Sequence, residues 1–175
     1  MLSAQESPVF GYIRAVPAEG LIPRLWSHLD RVERLLAALP EDKADHAYAP
    51  GKWTVRQLAG HLLVSQRVFV TRALRIARGE TQARTGYDEN LYAADWPPAE
   101  VPLSAVAAAY AAEAAATRAW LSLVRPEELE REGTANGTRL RPQEILRALI
   151  GHESHHLRVL AERYGLGASA EPENT

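Results

Sequence analysis

Apolar positions recur along this chain with the three-to-four-residue spacing of amphipathic helices, in four long stretches. Leu25, Leu29, Val32, Leu35 and Leu36 mark the first. It is predicted over residues 21–39, with Pro23 suited to a first turn and Pro40 to a stop. The second opens at Thr54, where Thr54-Val55-Arg56-Gln57 has the form of a capping box. It carries Leu58, Leu62, Phe69, Ala73 and Ile76 on one face and ends at Gly79. The third, over residues 103–123, is alanine-rich, with Val106, Tyr110, Thr117, Trp120 and Leu121 on its better-packed side. The fourth starts at Pro142 and runs to Tyr164, just before Gly165.

The intervening segments lack this period. Residues 1–18 read as an irregular lead-in. Residues 80–102 contain Pro97, Pro98 and Pro102 and read as a long connection with room for one helical turn. Asn136-Gly137 predicts a small two-stranded β-ribbon before the last helix. Four long amphipathic helices imply an all-α four-helix bundle, a single domain over residues 1–167, with 168–175 as a mobile polar tail.

Composition changes this picture little. The chain has 175 residues, 46 % hydrophobic and 24 % charged, ordinary for a globular domain with a sizeable core. A formal net charge of −2 gives no ground for wholesale binding to nucleic acid or a membrane surface. There is no cysteine, which excludes disulfides, thiolate metal ligands and a protein-borne thiol nucleophile. No apolar run is long enough to span a bilayer. The first residues lack a basic start followed by an apolar core, so a cytoplasmic protein is expected.

The candidate chemistry lies in the last helix. His152, His155 and His156 are three of the six histidines, and they fall within five residues. At about 100° per residue, Ile145, Leu149, Glu153, His156, Leu160 and Tyr164 share one face. His152 sits at its edge, one turn from His156, and His155 points away. Two imidazoles at i and i+4 can offer two nitrogens to one cation. A third ligand must come from elsewhere. His61 lies at the margin of the apolar face of the second helix. His28, mid-helix, and His46, in a loop, read as ordinary surface residues.

A level check supports His61. The connection over 80–102 could stretch to roughly 75 Å, enough to climb back along a helix of about 35 Å, so two helix orders are open. In up-down-down-up, His61 and His156 lie roughly 10 and 12 Å from the same end of the bundle. In up-down-up-down, His156 would lie roughly 22 Å from it. A three-histidine site therefore selects the crossover topology.

Here the residues resemble a known family. GKWTVRQLAGHL, with Trp53 eight residues before His61, and GHESHHLRVL are similar to the second-helix and final-helix motifs of the DinB/YfiT-like superfamily. GYDENLY and REGTANG resemble one branch of it, and the likeness extends from about Ala15 to Tyr164. It implies an up-down-down-up bundle, frequently dimeric, and a divalent ion held by three histidines that map to His61, His152 and His156. Zinc and nickel are the candidate ions. Relatives include thiol-dependent transferases and the metal-binding domain of mycothiol-dependent maleylpyruvate isomerase.

Three functional readings follow. The first is a metal-dependent enzyme acting on a small molecule, either as a transferase using a low-molecular-weight thiol cosubstrate or as a hydrolase. In it Glu153 either orients a ligand histidine, the favoured role, or serves as general base. The second is a non-enzymatic metal-binding stress-response protein. The third is a His-Glu-x-x-His peptidase, since His152-Glu153-Ser154-His155-His156 fits that pattern literally. Val159 and Glu162 break its longer form. A homodimer is expected, without nucleic acid or membrane partners. Tyr87, Asp88, Glu89, Tyr92 and Trp96 could form a lid or pocket wall, against the simpler reading of a packed connector. Trp53 reads as an anchor for the second helix.

Overall fold

The computed structural model describes residues 8–80, 82, 86, 88–94 and 96–167. Among these residues, six α-helices and one hairpin follow in the order α1 (Pro8–Arg14), α2 (Leu21–Ala37), α3 (Val55–Ala77), α4 (Glu89–Ala94), α5 (Leu103–Leu121), β1 (Gly133–Ala135), β2 (Thr138–Leu140) and α6 (Pro142–Tyr164). The four long helices α2, α3, α5 and α6 form the bundle. Among the described residues, no helix is long and apolar enough to cross a membrane.

Helices α3 and α6 are bounded by local chemistry that the sequence announces. Thr54 caps α3: its hydroxyl accepts from the Gln57 amide at 3.1 Å, and Gln57 Oε1 accepts from the Thr54 amide at 2.8 Å. Pro142 occupies the first turn of α6, and Gly165 ends it in a left-handed conformation. The β1–β2 turn is Asn136-Gly137, with φ of 50° and 72°, the mirror-image turn that two-residue hairpins favour.

Cross-helix contacts fix the order as up-down-down-up. The end of α6 meets the start of α3, where the Tyr164 hydroxyl donates to the Trp53 carbonyl at 2.6 Å. The start of α5 meets the start of α3 through Arg56, which donates to the Val101 carbonyl. Farther along the same pair, Arg67 meets Glu113, so α3 and α5 are parallel. The Leu103 amide, at the start of α5, donates to Glu41 just past the end of α2 at 2.7 Å, while Arg118, near the end of α5, reaches back to Asp30 and Glu33 at 2.5 and 2.8 Å, so α2 and α5 are antiparallel. Inside lie Leu25, Leu29, Val32, Leu58, Leu62, Leu146, Leu149 and Leu160, all at 2 % exposure or less. Each contributes about 1.5–3 kcal/mol by burial.

Of the segments outside the bundle, the lead-in differs from expectation and the long connection matches it. Residues 8–14 are helical rather than irregular, and α1 packs along α6. Arg147 secures it by donating to the carbonyls of Val16 and Ile13 at 2.8 and 2.9 Å. Gly151 permits the approach, since a Cβ there would lie 2.5 Å from the Tyr12 carbonyl oxygen. A seven-residue helix is too short for periodicity to reveal, and its stability comes from this packing. The 80–102 connection contains its expected helical turn as α4, opened by Asp88, whose Oδ1 accepts from the amides of Asn90 and Leu91. Tyr87 and the 168–175 tail lie outside the described residues.

Candidate metal centre

The antiparallel pairing of α3 and α6 brings His61 level with His152 and His156. Their three Nε2 atoms form a triangle with every side 3.1 Å. The ring planes are inclined to one another by 59°, 69° and 71°, so the imidazoles fan around a common axis. His61 and His152 are buried and His156 is half-buried. Among the described residues, this is the one group of His, Cys, Asp and Glu side chains that could hold a metal ion.

Burial sets their charge state. Desolvation lowers the His61 pKa to about 4. Desolvation, then repulsion from the neighbouring imidazoles, lowers His152 to about 3 and His156 to about 2. All three are therefore neutral at neutral pH, with lone pairs available. A nitrogen triangle of side 3.1 Å has its centre about 1.8 Å from each corner. An ion bonded at about 2.0–2.1 Å fits a little above that plane, within reach of all three and with further positions open. The donor set thus fits a divalent ion of the zinc and nickel kind, which imidazole suits.

Aromatic rings hold the triad in place. The Trp53 ring lies 4.7 Å from His61 and stacks at 22° over His156, 6.3 Å away. Phe69 lies 5.5 Å from His152, and Tyr12 meets the His152 ring edge-on at 5.4 Å. Ser65 Oγ is 3.3 Å from His61 Nε2, one turn along α3. The triad forms one end of a cavity of about 370 Å³, whose walls include Tyr12, Trp53, Phe69, Arg72, Asn136 and Thr138.

Glu153 departs from expectation. It is fully buried, and its oxygens accept from His28 Nε2 at 2.9 Å and the Tyr110 hydroxyl at 2.8 Å. Neither partner belongs to the triad, and Glu153 does not line the cavity. The expectation that it orients a ligand histidine or acts as general base is corrected: the 100° step from His152 turns it toward α2 and α5. The same contact corrects His28, which is a buried partner of Glu153 rather than a surface residue. It also removes the peptidase reading, in which the glutamate between the histidines must face the metal.

His155 stays outside the triad, half-buried between Tyr12 and His156. His46 is exposed, with its ring against Tyr164. Trp53 is both an anchor, through its carbonyl, and a wall of the site. Of the connection residues, Glu89 lines the cavity, whereas Asp88 caps α4 and Tyr92 and Trp96 are exposed. Ser65, Phe69 and Arg72 had a readable signal, since they lie four, eight and eleven residues after His61, on its own helical stripe. Tyr12 had none, because α1 shows no period.

The model of the DinB superfamily matches residues 24–160. The chain belongs to the DinB superfamily. Among curated proteins none matches it. Solved structures share the fold of this DinB-superfamily chain, and two of them are similar over most of its length. One is YfiT from Bacillus subtilis, described as "a probable metal-dependent hydrolase with an unusual four-helix bundle topology". Its TM-score is 0.71 at 21 % identity, covering 86 % of this chain and 89 % of YfiT. The other is a DinB-like protein from Bacillus cereus, with a TM-score of 0.63 at 22 % identity, covering 88 % of this chain and 97 % of that one. Within this superfamily fold, the α3–α6 pairing is what assembles the three histidines.

Proposed function

We propose that this protein is a metal-dependent hydrolase of small molecules, its divalent ion, zinc or nickel, held by His61, His152 and His156. The observation that carries the reading is the convergence of three neutral Nε2 atoms at 3.1 Å on one end of a cavity. The description of YfiT as a probable metal-dependent hydrolase supports it. A bound ion of this kind supplies Lewis acidity and a water whose pKa is brought toward neutrality.

The chain's own residues do the rest. The three histidines present lone pairs without first losing protons, because burial keeps them neutral. Trp53, Phe69 and Tyr12 restrict the imidazole rings and exclude water from their sides. The cavity walls receive the substrate. Glu153, His28 and Tyr110 tie α6 to α2 and α5, so that His152 and His156 keep their level against His61.

A thiol transferase would use the same centre. With no cysteine in the chain, its thiol must enter as a cosubstrate. The test is turnover of a panel of chromogenic esters and amides by zinc-loaded and nickel-loaded protein, with and without glutathione or cysteine, before and after chelation. Metal-dependent turnover without thiol supports the hydrolase. Turnover only with thiol would replace it by the transferase, and no metal-dependent turnover of any kind would favour a non-enzymatic metal-binding protein.

A further inference from the structure

The cavity has two chemically different ends. His61 and Arg72 both line it, and eleven residues of α3 separate them, roughly 16 Å of helix. On α6, Ile145 and His152 line it seven residues apart, roughly 10 Å. Because the two helices run antiparallel, the cavity is a trough, with the histidines toward one end and Arg72 toward the hairpin. Its middle is apolar, formed by Phe69, Ile145 and the Tyr12 ring.

The hairpin end is rich in donors. Gly133 of β1 packs against Ile76, one turn beyond Arg72, which seats the hairpin over this part of α3. Asn136 and Thr138 line the cavity beside it, and Thr138 is buried. Asn136 holds a left-handed backbone conformation, and its side chain lies against Gly86, where a Cβ would come within 2.6 Å of Oδ1. A guanidinium, an amide and a hydroxyl can together offer several donors to one oxyanion. Among the described lining residues, Arg72 is the one lysine or arginine and Glu89 the one acid. The charge of Glu89 is felt at Tyr12, on the α1 wall, where it raises the phenol pKa after burial does. An arginine carries five donors, so it can hold a neighbour within the protein and still meet an oxyanion.

We propose that Arg72, Asn136 and Thr138 form an oxyanion-binding subsite, and that the substrate is an extended molecule with an apolar body and a terminal carboxylate or phosphate. The substrate part of this rests on the hydrolase reading; the subsite itself does not. The anionic terminus docks at the hairpin end, the body lies on Phe69 and Ile145, and the opposite end reaches the histidines. Arg72 is a specificity-determining residue in this arrangement and takes no part in bond breaking.

The test uses the full chain freed of metal, so that no ion competes for the oxyanion. Calorimetric titration compares 5-phenylpentanoate, its primary amide and 4-phenylbutyl phosphate. The acid is expected to bind about tenfold more tightly than the amide, and this ratio to fall to within about twofold of unity in Arg72→Gln. Arg72→Lys keeps the charge and should keep part of the preference. The phosphate arm identifies which oxyanion fits better, and preference for either over the amide supports the subsite. Equal affinity for acid and amide in the unaltered protein would overturn it without recourse to any variant. A preference that survives Arg72→Gln with unchanged circular dichroism would overturn the role of Arg72. Failure of the hydrolase reading is separate: it appears as absent turnover in the metal-loaded protein, while the acid-to-amide ratio of the metal-free protein stands.

Discussion

Replacing Glu153 should damage the fold far more than the metal site. Its two oxygens serve His28 and Tyr110 in a fully buried position. In Glu153→Ala both partners lose their hydrogen bond where water cannot readily replace it. Each buried group left unpaired costs about 1–3 kcal/mol, and the small void left by the truncation adds on the order of 1 kcal/mol. A total of about 4 kcal/mol is expected, a large part of the roughly 5–15 kcal/mol that stabilises a domain. For a chain of this length it lowers Tm by about 8–16 °C. Glu153→Gln is milder. Its amide can accept from one partner and, after an imidazole tautomer change, donate to the other, so about 1 kcal/mol and 2–4 °C are expected. Because Glu153 touches no triad histidine, the zinc Kd of Glu153→Gln should stay within about threefold of the unaltered protein. Residues that orient ligand histidines cost roughly 10–100-fold when changed. Calorimetric melting of the metal-free variants and competitive zinc titration at 25 °C give both quantities. A Glu153→Ala protein destabilised by less than 1 kcal/mol, or a Glu153→Gln protein weakened tenfold or more for zinc, would refute the reasoning.

Other consequences are as direct. His61→Ala or His156→Ala should abolish stoichiometric metal uptake, whereas His155→Ala and His46→Ala should leave about one ion per chain by mass spectrometry. The metal-free protein should weaken in acid. The triad histidines titrate at about 4, 3 and 2 when folded, below their ordinary value, so the unfolded chain takes up more protons and stability falls as pH drops below about 6.5. Between pH 7 and 5 this amounts to roughly 2 kcal/mol for each of His61 and His152 and less for half-buried His156, measurable by urea denaturation; a flat profile would contradict it. Gly151→Ala should push α1 away from α6 and loosen the Tyr12 wall, lowering Tm by about 2–8 °C and increasing protease cleavage near residues 8–16.

The parts of the fold set by repetition or by local capping were legible in the sequence. The spacing of Leu25, Leu29 and Val32, the Thr54–Gln57 box, the Asn136-Gly137 turn and Pro142 each act within a few residues, so their outcome could be read directly. His61, His152 and His156 were legible as a set because helix rise converts sequence distance into height along the bundle. What could not be read depends on partners distant in sequence. Residues 8–14 are helical because Arg147 and Gly151, more than 130 residues later, give them a surface. Glu153 and His28 lie 125 residues apart, so the helical wheel revealed a buried carboxyl group but not the imidazole that meets it. Arg72 lies on the His61 stripe, but its sharing a cavity with Asn136 depends on the hairpin folding back over α3.

The central claim is that one divalent ion sits on the three Nε2 atoms. A crystal of zinc-loaded protein, measured on both sides of the zinc absorption edge, tests it most directly. One anomalous peak per chain is expected, about 2.0–2.2 Å from Nε2 of His61, His152 and His156 and with at least one further position open. A peak elsewhere in the chain, or one bonded to fewer than these three nitrogens, would contradict the account.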